Sequence, residues 1–258
     1  MNIRRVDDLK PQDIAFPNGN RARMVFTMHG TTPESIVRAL AIPIPEPLIV
    51  IVGGAAGLDR GLERQLKPLF REGIACAASD TGALILDGGT RAGVMEIMGI
   101  GIAGRVPKPI LLGVAPRAKV TYPGRTIEKT VVDSAPLDPN HSHFALVEAD
   151  KWGGETGMMY DLADLISRGT PSVAVLANGG PLAVDEMLLS IRAKREIIVI
   201  GGSGRLADEI ASAMAQSGRQ HRAEVKAIAA YESITLFDIR KGAQELRDSI
   251  KMRLSAKR

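Results

Sequence analysis

Four apolar runs in this chain each close on a pair of glycines. LIVIV runs into Gly53-Gly54, ALIL into Asp87-Gly88-Gly89-Thr90, SVAVLA into Asn178-Gly179-Gly180, and IIVI into Gly201-Gly202-Ser203-Gly204. The runs are apolar at both parities, so each is a strand with two buried faces, the pattern of a parallel sheet covered by helices on both sides. Further short runs extend the series, giving expected strands over 24–28, 48–52, 83–86, 110–114, 144–147, 173–177, 197–200 and 234–237. Helical patterns fall between them at 58–70, 92–103, 155–167, 182–191 and 205–216. In the last, Leu206, Ile210, Ala213 and Met214 form a core-facing stripe. Alternating strands and helices of this kind specify a three-layer α/β domain.

In an open parallel sheet the glycine-terminated ends share one edge, where ligands bind at the reversal of strand order. Glycines there allow close backbone approach to a phosphate, and the following helix N-termini add their dipoles. Arg60, Arg91 and Arg205 each stand near an expected helix start, where a cation opposes the dipole unless an anion compensates it. Arginine also offers phosphate a planar fork of donors. Gly202-Ser203-Gly204-Arg205-Leu206-Ala207 fits the dinucleotide pattern G-x-G-x-x-A. Its expected acidic partner would be Glu224, but the surrounding AEVKAIAAYES reads as helix or loop, which argues against a hydride-transfer enzyme.

Composition narrows the class. The 258 residues, 45% hydrophobic and 24% charged, suffice for one large domain or two close-packed lobes, and aromatics are only 3%. Cys76 is the single cysteine, which excludes an internal disulfide, and MNIRRVDDLK lacks the apolar core of a signal peptide. No apolar run reaches the roughly 18 residues of a membrane span, so a cytoplasmic protein is expected. The net charge of +4 sits in the tail, where seven basic side chains from Arg240 to Arg258 face Glu245 and Asp248. Such a run reads as a solvated helix face, and nucleic acid is not the expected partner. Residues 41–47, AIPIPEP, form a proline-rich link, and 115–142 is a long irregular stretch of the kind that is usually functional or mobile. Met95, Met98, Met158, Met159 and Met187 read as core filling.

The segments DGGTRAGVME, LDPNHSHFALVE, KWGGE and GGSGRLAD, in that order, resemble the SLOG domain at the cytosolic N-terminus of melastatin-type TRP channels and its bacterial relatives, the LSDAT group. The likeness spans roughly Leu48 to Phe237. It implies a Rossmann-like domain that binds a nucleotide-derived ligand, ADP-ribose in one channel branch, and a role as a sensor. It also implies that Arg205 contacts ligand phosphate and that Trp152 packs on the ligand. Met159 stands where the channels carry a second arginine, which counts against ADP-ribose itself. Arg91 departs from the family's small polar residue and is a candidate to supply that charge from another direction. His141 and His143 would face one side as a strand begins; the family has both without a metal, and a structural role holding the loop is expected.

These readings give an α/β, Rossmann-like three-layer sandwich with a mostly parallel central sheet. Residues 1–47 would be a strand/helix segment packing on a nucleotide-binding domain at 48–240, followed by a basic helix at 241–258. Expected ligand-binding residues are Gly53, Gly54, Asp87, Gly88, Gly89, Thr90 and Arg91 on the first two loops, and Trp152, Gly154 and Glu155 before the next helix. Asn178, Gly179, Gly202, Ser203, Gly204 and Arg205 complete the set on the last two. The ligand is a phosphorylated nucleoside, no metal is expected, and homo-oligomerisation and an effector protein are the expected associations. The alternative is a nucleotide-processing hydrolase of the phosphoribohydrolase type, with Glu96 as its catalytic candidate.

Overall fold

Within LIVIV, Leu48, Val50 and Val52 pack into one hydrophobic cluster and Ile49 and Ile51 into a second. That alternation is the period of a strand covered on both faces. A computed structural model describes residues 9–54, 58–125, 133–215 and 220–255. Its strands are β1 (Gln12–Ala15), β2 (Arg21–Phe26), β3 (Leu48–Gly53), β4 (Leu84–Asp87), β5 (Leu111–Pro116), β6 (Val120–Thr121), β7 (Ala135–Pro136), β8 (His143–Val147), β9 (Ser172–Ala177), β10 (Glu196–Gly201) and β11 (Ile234–Asp238). The helices are α1 (Pro33–Leu40), α2 (Arg60–Pro68), α3 (Ala75–Thr81), α4 (Gly93–Ile102), α5 (Thr156–Ile166), α6 (Pro181–Arg192), α7 (Arg205–Met214), α8 (Ala223–Ala229) and α9 (Ala243–Ser255).

Nine strands form one sheet in the order β1-β2-β8-β5-β4-β3-β9-β10-β11, and every neighbouring pair except β1–β2 is parallel. The expected Rossmann-like sandwich is therefore the observed fold. From β3 the chain builds outward through β4 and β5 on one side and through β9, β10 and β11 on the other, so the order reverses between β3 and β9. The four glycine-terminated strands are the contiguous centre of the sheet. On one face lie α1, α5, α6, α7 and α8; on the other lie α2, α3, α4 and α9.

Residues 9–47 extend this same sheet. β2 pairs in parallel with β8, Met24 opposite Phe144, and β1 adds an antiparallel edge that the short, polar QDIA does not announce. The helix expected to end at Phe70 instead continues through a wide π turn at Leu69–Ile74 into α3, stopping at Gly82 with φ +69°. Gly73 does not terminate it. A side chain there would lie 3.2 Å from the Ala243 carbonyl, so this glycine admits the crossing α9. That last helix buries Leu246, Ile250 and Leu254, while Arg247 and Lys251 pair with Asp80 and Arg253 with Glu196. Gln216, Lys257 and Arg258 lie outside the described residues, as do residues 1–8 and the 126–132 part of the long irregular stretch.

Candidate functional site

β3 ends where β9 passes beside it, Gly53 opposite Ala177. A side chain at Gly53 would meet Val94 Cγ2 at 2.5 Å and the Ala177 carbonyl at 2.6 Å, so only glycine lets α4 and β9 close on the strand end here. Above this reversal point lies a cavity of about 310 Å³. Gly53 and Gly54 line it from β3, Gly88, Thr90 and Met95 from the β4–α4 connection, and Trp152 and Glu155 from the approach to α5. The first two turns of α6, from Gly180 to Glu186, form another wall, and Arg205 at the start of α7 completes it.

The helices that border the cavity share a second feature. α4, α5, α6 and α7 begin at Ala92, Glu155, Gly180 and Gly204, and none has a side-chain cap. By contrast, Thr32 caps α1 and Asp59 caps α2, each accepting from backbone N–H groups of the first turn. The positive ends of four helix dipoles are therefore gathered at one edge, with the first-turn N–H groups of Val94, Thr156, Ala183 and Ala207 donating to the carbonyls of Gly54, Gly153, Gly180 and Asn178. Arg205 adds a full charge. Its guanidinium lies 3.3 Å from where a side chain at Gly180 would begin, so that glycine gives the arginine its seat.

Several expected ligand contacts instead build the frame. Asn178, with φ 62°, donates its backbone N–H to the Ser203 hydroxyl at 2.8 Å and its side-chain amide to the Ser203 carbonyl at 2.9 Å. Gly204, with φ +88°, packs against that amide, and Gly179 fits among Leu176, Ala183 and Leu206. The Gly202 N–H donates to Asp208 at 2.6 Å. Together these residues clamp the β9 and β10 loops and aim Arg205. Gly89 is pressed against Gly113 of β5, and its N–H donates to Asp87 at 2.7 Å. Gly154 sits against Ala149 in the turn below Trp152, whose ring N–H donates to the Asp133 carbonyl at 2.8 Å.

Asp87, Asp138 and His141 form a separate structural unit. His141 Nε2 lies 2.8 Å from Asp87 and Nδ1 lies 3.0 Å from Asp138, all three side chains being buried, and the imidazole stacks on Phe144. Burial opposes its charge, but the two carboxylates outweigh that and hold its pKa at about 9. This ties the 133–142 loop to the end of β4. His143 does not act with it. Burial and then Arg23 push His143 down to about 4, and its partner is the Ser142 hydroxyl at 2.9 Å. Among the described residues no His/Cys/Asp/Glu cluster could hold a metal.

Arg91 and Glu96 are not brought into the cavity. Arg91 is exposed, pairs with Glu96 at 3.3 Å, and lines a neighbouring cavity of about 490 Å³ beside Arg125 and Tyr122. The charge-replacement idea for Arg91 therefore has no geometric support, nor does a role for Glu96 in this cavity. Arg60 is likewise exposed, at the first position of α2. Met159 is core, whereas Met95 both packs in the core and lines the cavity.

The residue that sequence reasoning missed is Glu186. It is half-buried on α6 in the cavity wall, and burial, then the charges of Glu155, Asp87 and Asp185, push its pKa up to about 8. Burial also raises Glu155, against the opposing effect of backbone N–H groups of Glu155 and Gly153. The sequence offered no signal for Glu186 beyond a carboxylate in the second turn of a helix that follows a glycine pair.

The family described as SLOG in TRPM, prokaryote, matches residues 46–247. This chain belongs to that SLOG family. Among channel relatives, transient receptor potential cation channel subfamily M member-like 2 of Nematostella vectensis is 34% identical over 231 residues, covering 74% of this chain. Subfamily M member 2 of Mus musculus is 30% identical over 218 residues, covering 70%, and subfamily M member 7 of Homo sapiens is 29% identical over 234 residues, covering 77%. These matches take up only 15%, 14% and 12% of the respective channels. The SLOG domain described here thus corresponds to a small part of each channel, and no helix among its described residues is long and apolar enough to cross a membrane.

Proposed function

We propose that this SLOG domain binds a phosphorylated nucleoside derivative, ADP-ribose-like or related, in the cavity at the β3/β9 reversal. The observation that carries this reading is the convergence of Gly54, Gly88, Thr90, Trp152, Glu155 and Arg205 on one cavity bordered by four uncapped helix starts. Arg205 and the helix N-termini meet the phosphate, because that is where the guanidinium charge and the positive ends of the helix dipoles concentrate. Trp152 offers an apolar ring to the base or ribose. The domain acts as a sensor in the cytoplasm, passing occupancy to its own oligomer or to an effector protein. Glu96, placed outside the cavity, lends no support to a hydrolase built on it.

Thermal shift and product analysis against a panel of nucleotides test this. Stabilisation without turnover is the expected result, and Arg205→Ala should weaken binding by about 10- to 100-fold, the worth of a charge-assisted contact. Circular dichroism of the ligand-free variant should match that of the parent, so that the loss reads as binding and not as unfolding. No stabilisation by any nucleotide overturns the reading.

A further inference from the structure

The cavity is polar in opposite senses along its length. Arg205 rests against Gly180 at the first turn of α6, while Glu186 stands six residues further along the same helix, about 9 Å by helical rise. Glu155 joins Glu186 in the wall. Glu155 is 8% exposed, and its Oε2 is sealed from solvent with no hydrogen-bond partner among the described residues. A buried acceptor without a donor costs about 1–3 kcal/mol, a cost that a donor brought into the cavity beside Glu155 relieves.

Resting on the reading that phosphate binds at Arg205, we infer that the Glu155–Glu186 end is a subsite for the free hydroxyls of a ribose, and that the ligand is a single nucleotide unit. The Glu155 carboxylate in that wall disfavours a second phosphate there. A cavity of about 310 Å³ also lies at the lower end of the roughly 300–1,000 Å³ range of ligand sites, which favours one nucleotide over a dinucleotide. The raised pKa of Glu186, about 8, keeps it protonated at neutral pH, so the pair presents a donor beside an acceptor. A hydroxyl is both donor and acceptor and matches that pair, whereas an ammonium group is donor only.

Titration calorimetry on the full chain, comparing ribonucleoside 5′-monophosphates with their 2′,3′-dideoxy counterparts, tests the subsite without any substitution. The ribo forms should bind at least about 10-fold more tightly, the worth of one or two such hydrogen bonds. In Glu155→Gln the difference should shrink to about 2–3-fold, because the acceptor is no longer charged, while competition by inorganic phosphate is unchanged. Equal binding of ribo and dideoxy forms overturns the subsite and leaves phosphate recognition standing. Tighter binding of a 3′-amino analogue than of the ribo form overturns the hydroxyl assignment. Failure of every monophosphate to bind overturns the single-nucleotide subsite, and failure of ADP-ribose as well overturns the reading it rests on.

Discussion

His141 is charged because of where it sits, between Asp87 and Asp138 with no solvent on any side. Its pKa rises from 6.5 to about 9 on folding, so the native state keeps a proton that the unfolded chain has released. The stabilisation is full below pH 6.5 and is lost as the pH rises through 9. Denaturant melts across that window should lose on the order of 1–3 kcal/mol, and His141→Gln should remove the dependence. Gly99 guards the same unit, since a side chain there would come within 2.0 Å of Asp138 Oδ1. Gly99→Ala should therefore cost about 1–3 kcal/mol, measured by the same melts, as overpacking against a side chain already fixed by His141. At this scale the glycine loops and Arg205 were legible because their chemistry is local: glycine before a helix start, arginine at its first position. Glu186 was not legible. A carboxylate on a helix is ordinarily solvated, and only the meeting of α6 with the approach to α5 turns this one inward.

The elements came through where burial on both faces writes a continuous apolar run, and failed where packing overrides a local signal. All eight expected strands exist, whereas the short β1 is held by its edge pairing with β2 and by Ile14, buried in the cluster around Phe144. The helix expected to end at Phe70 runs on through Gly73, a contact point for α9. Leu246 on that helix is fully buried against the π turn, so Leu246→Ala should cost about 2–5 kcal/mol in the midpoint of denaturant unfolding. The missing caps make sense at this scale too. α1 and α2 cap their first turns with the side chains of Thr32 and Asp59, while the helices that open on the cavity have no side-chain cap and turn part of their first-turn N–H groups to loop carbonyls, Val94 to Gly54 and Ala207 to Asn178.

For the molecule as a whole, ligand occupancy should appear as stabilisation of the native state, about 2.7 kcal/mol at a hundredfold excess over Kd. Amide exchange should slow at the C-terminal ends of β3, β4 and β9 and at the first turn of α6, and stay unchanged in β1 and β2, which lie at the far edge of the sheet. Protection spread evenly over all strands would place the ligand elsewhere. The sequence by itself determined the sheet: runs apolar at both parities are buried between two helical layers, and glycines at one end of four of them gather on a single edge. It also determined the family, through motifs that are contiguous in the chain. Only the tertiary structure decided which loop residues line the cavity and which brace it, because Asn178 and Ser203 find each other across 25 positions, Asp87 and His141 across 54. Those pairings depend on strand order, and strand order is set by how the helices pack, which no local stretch of sequence records.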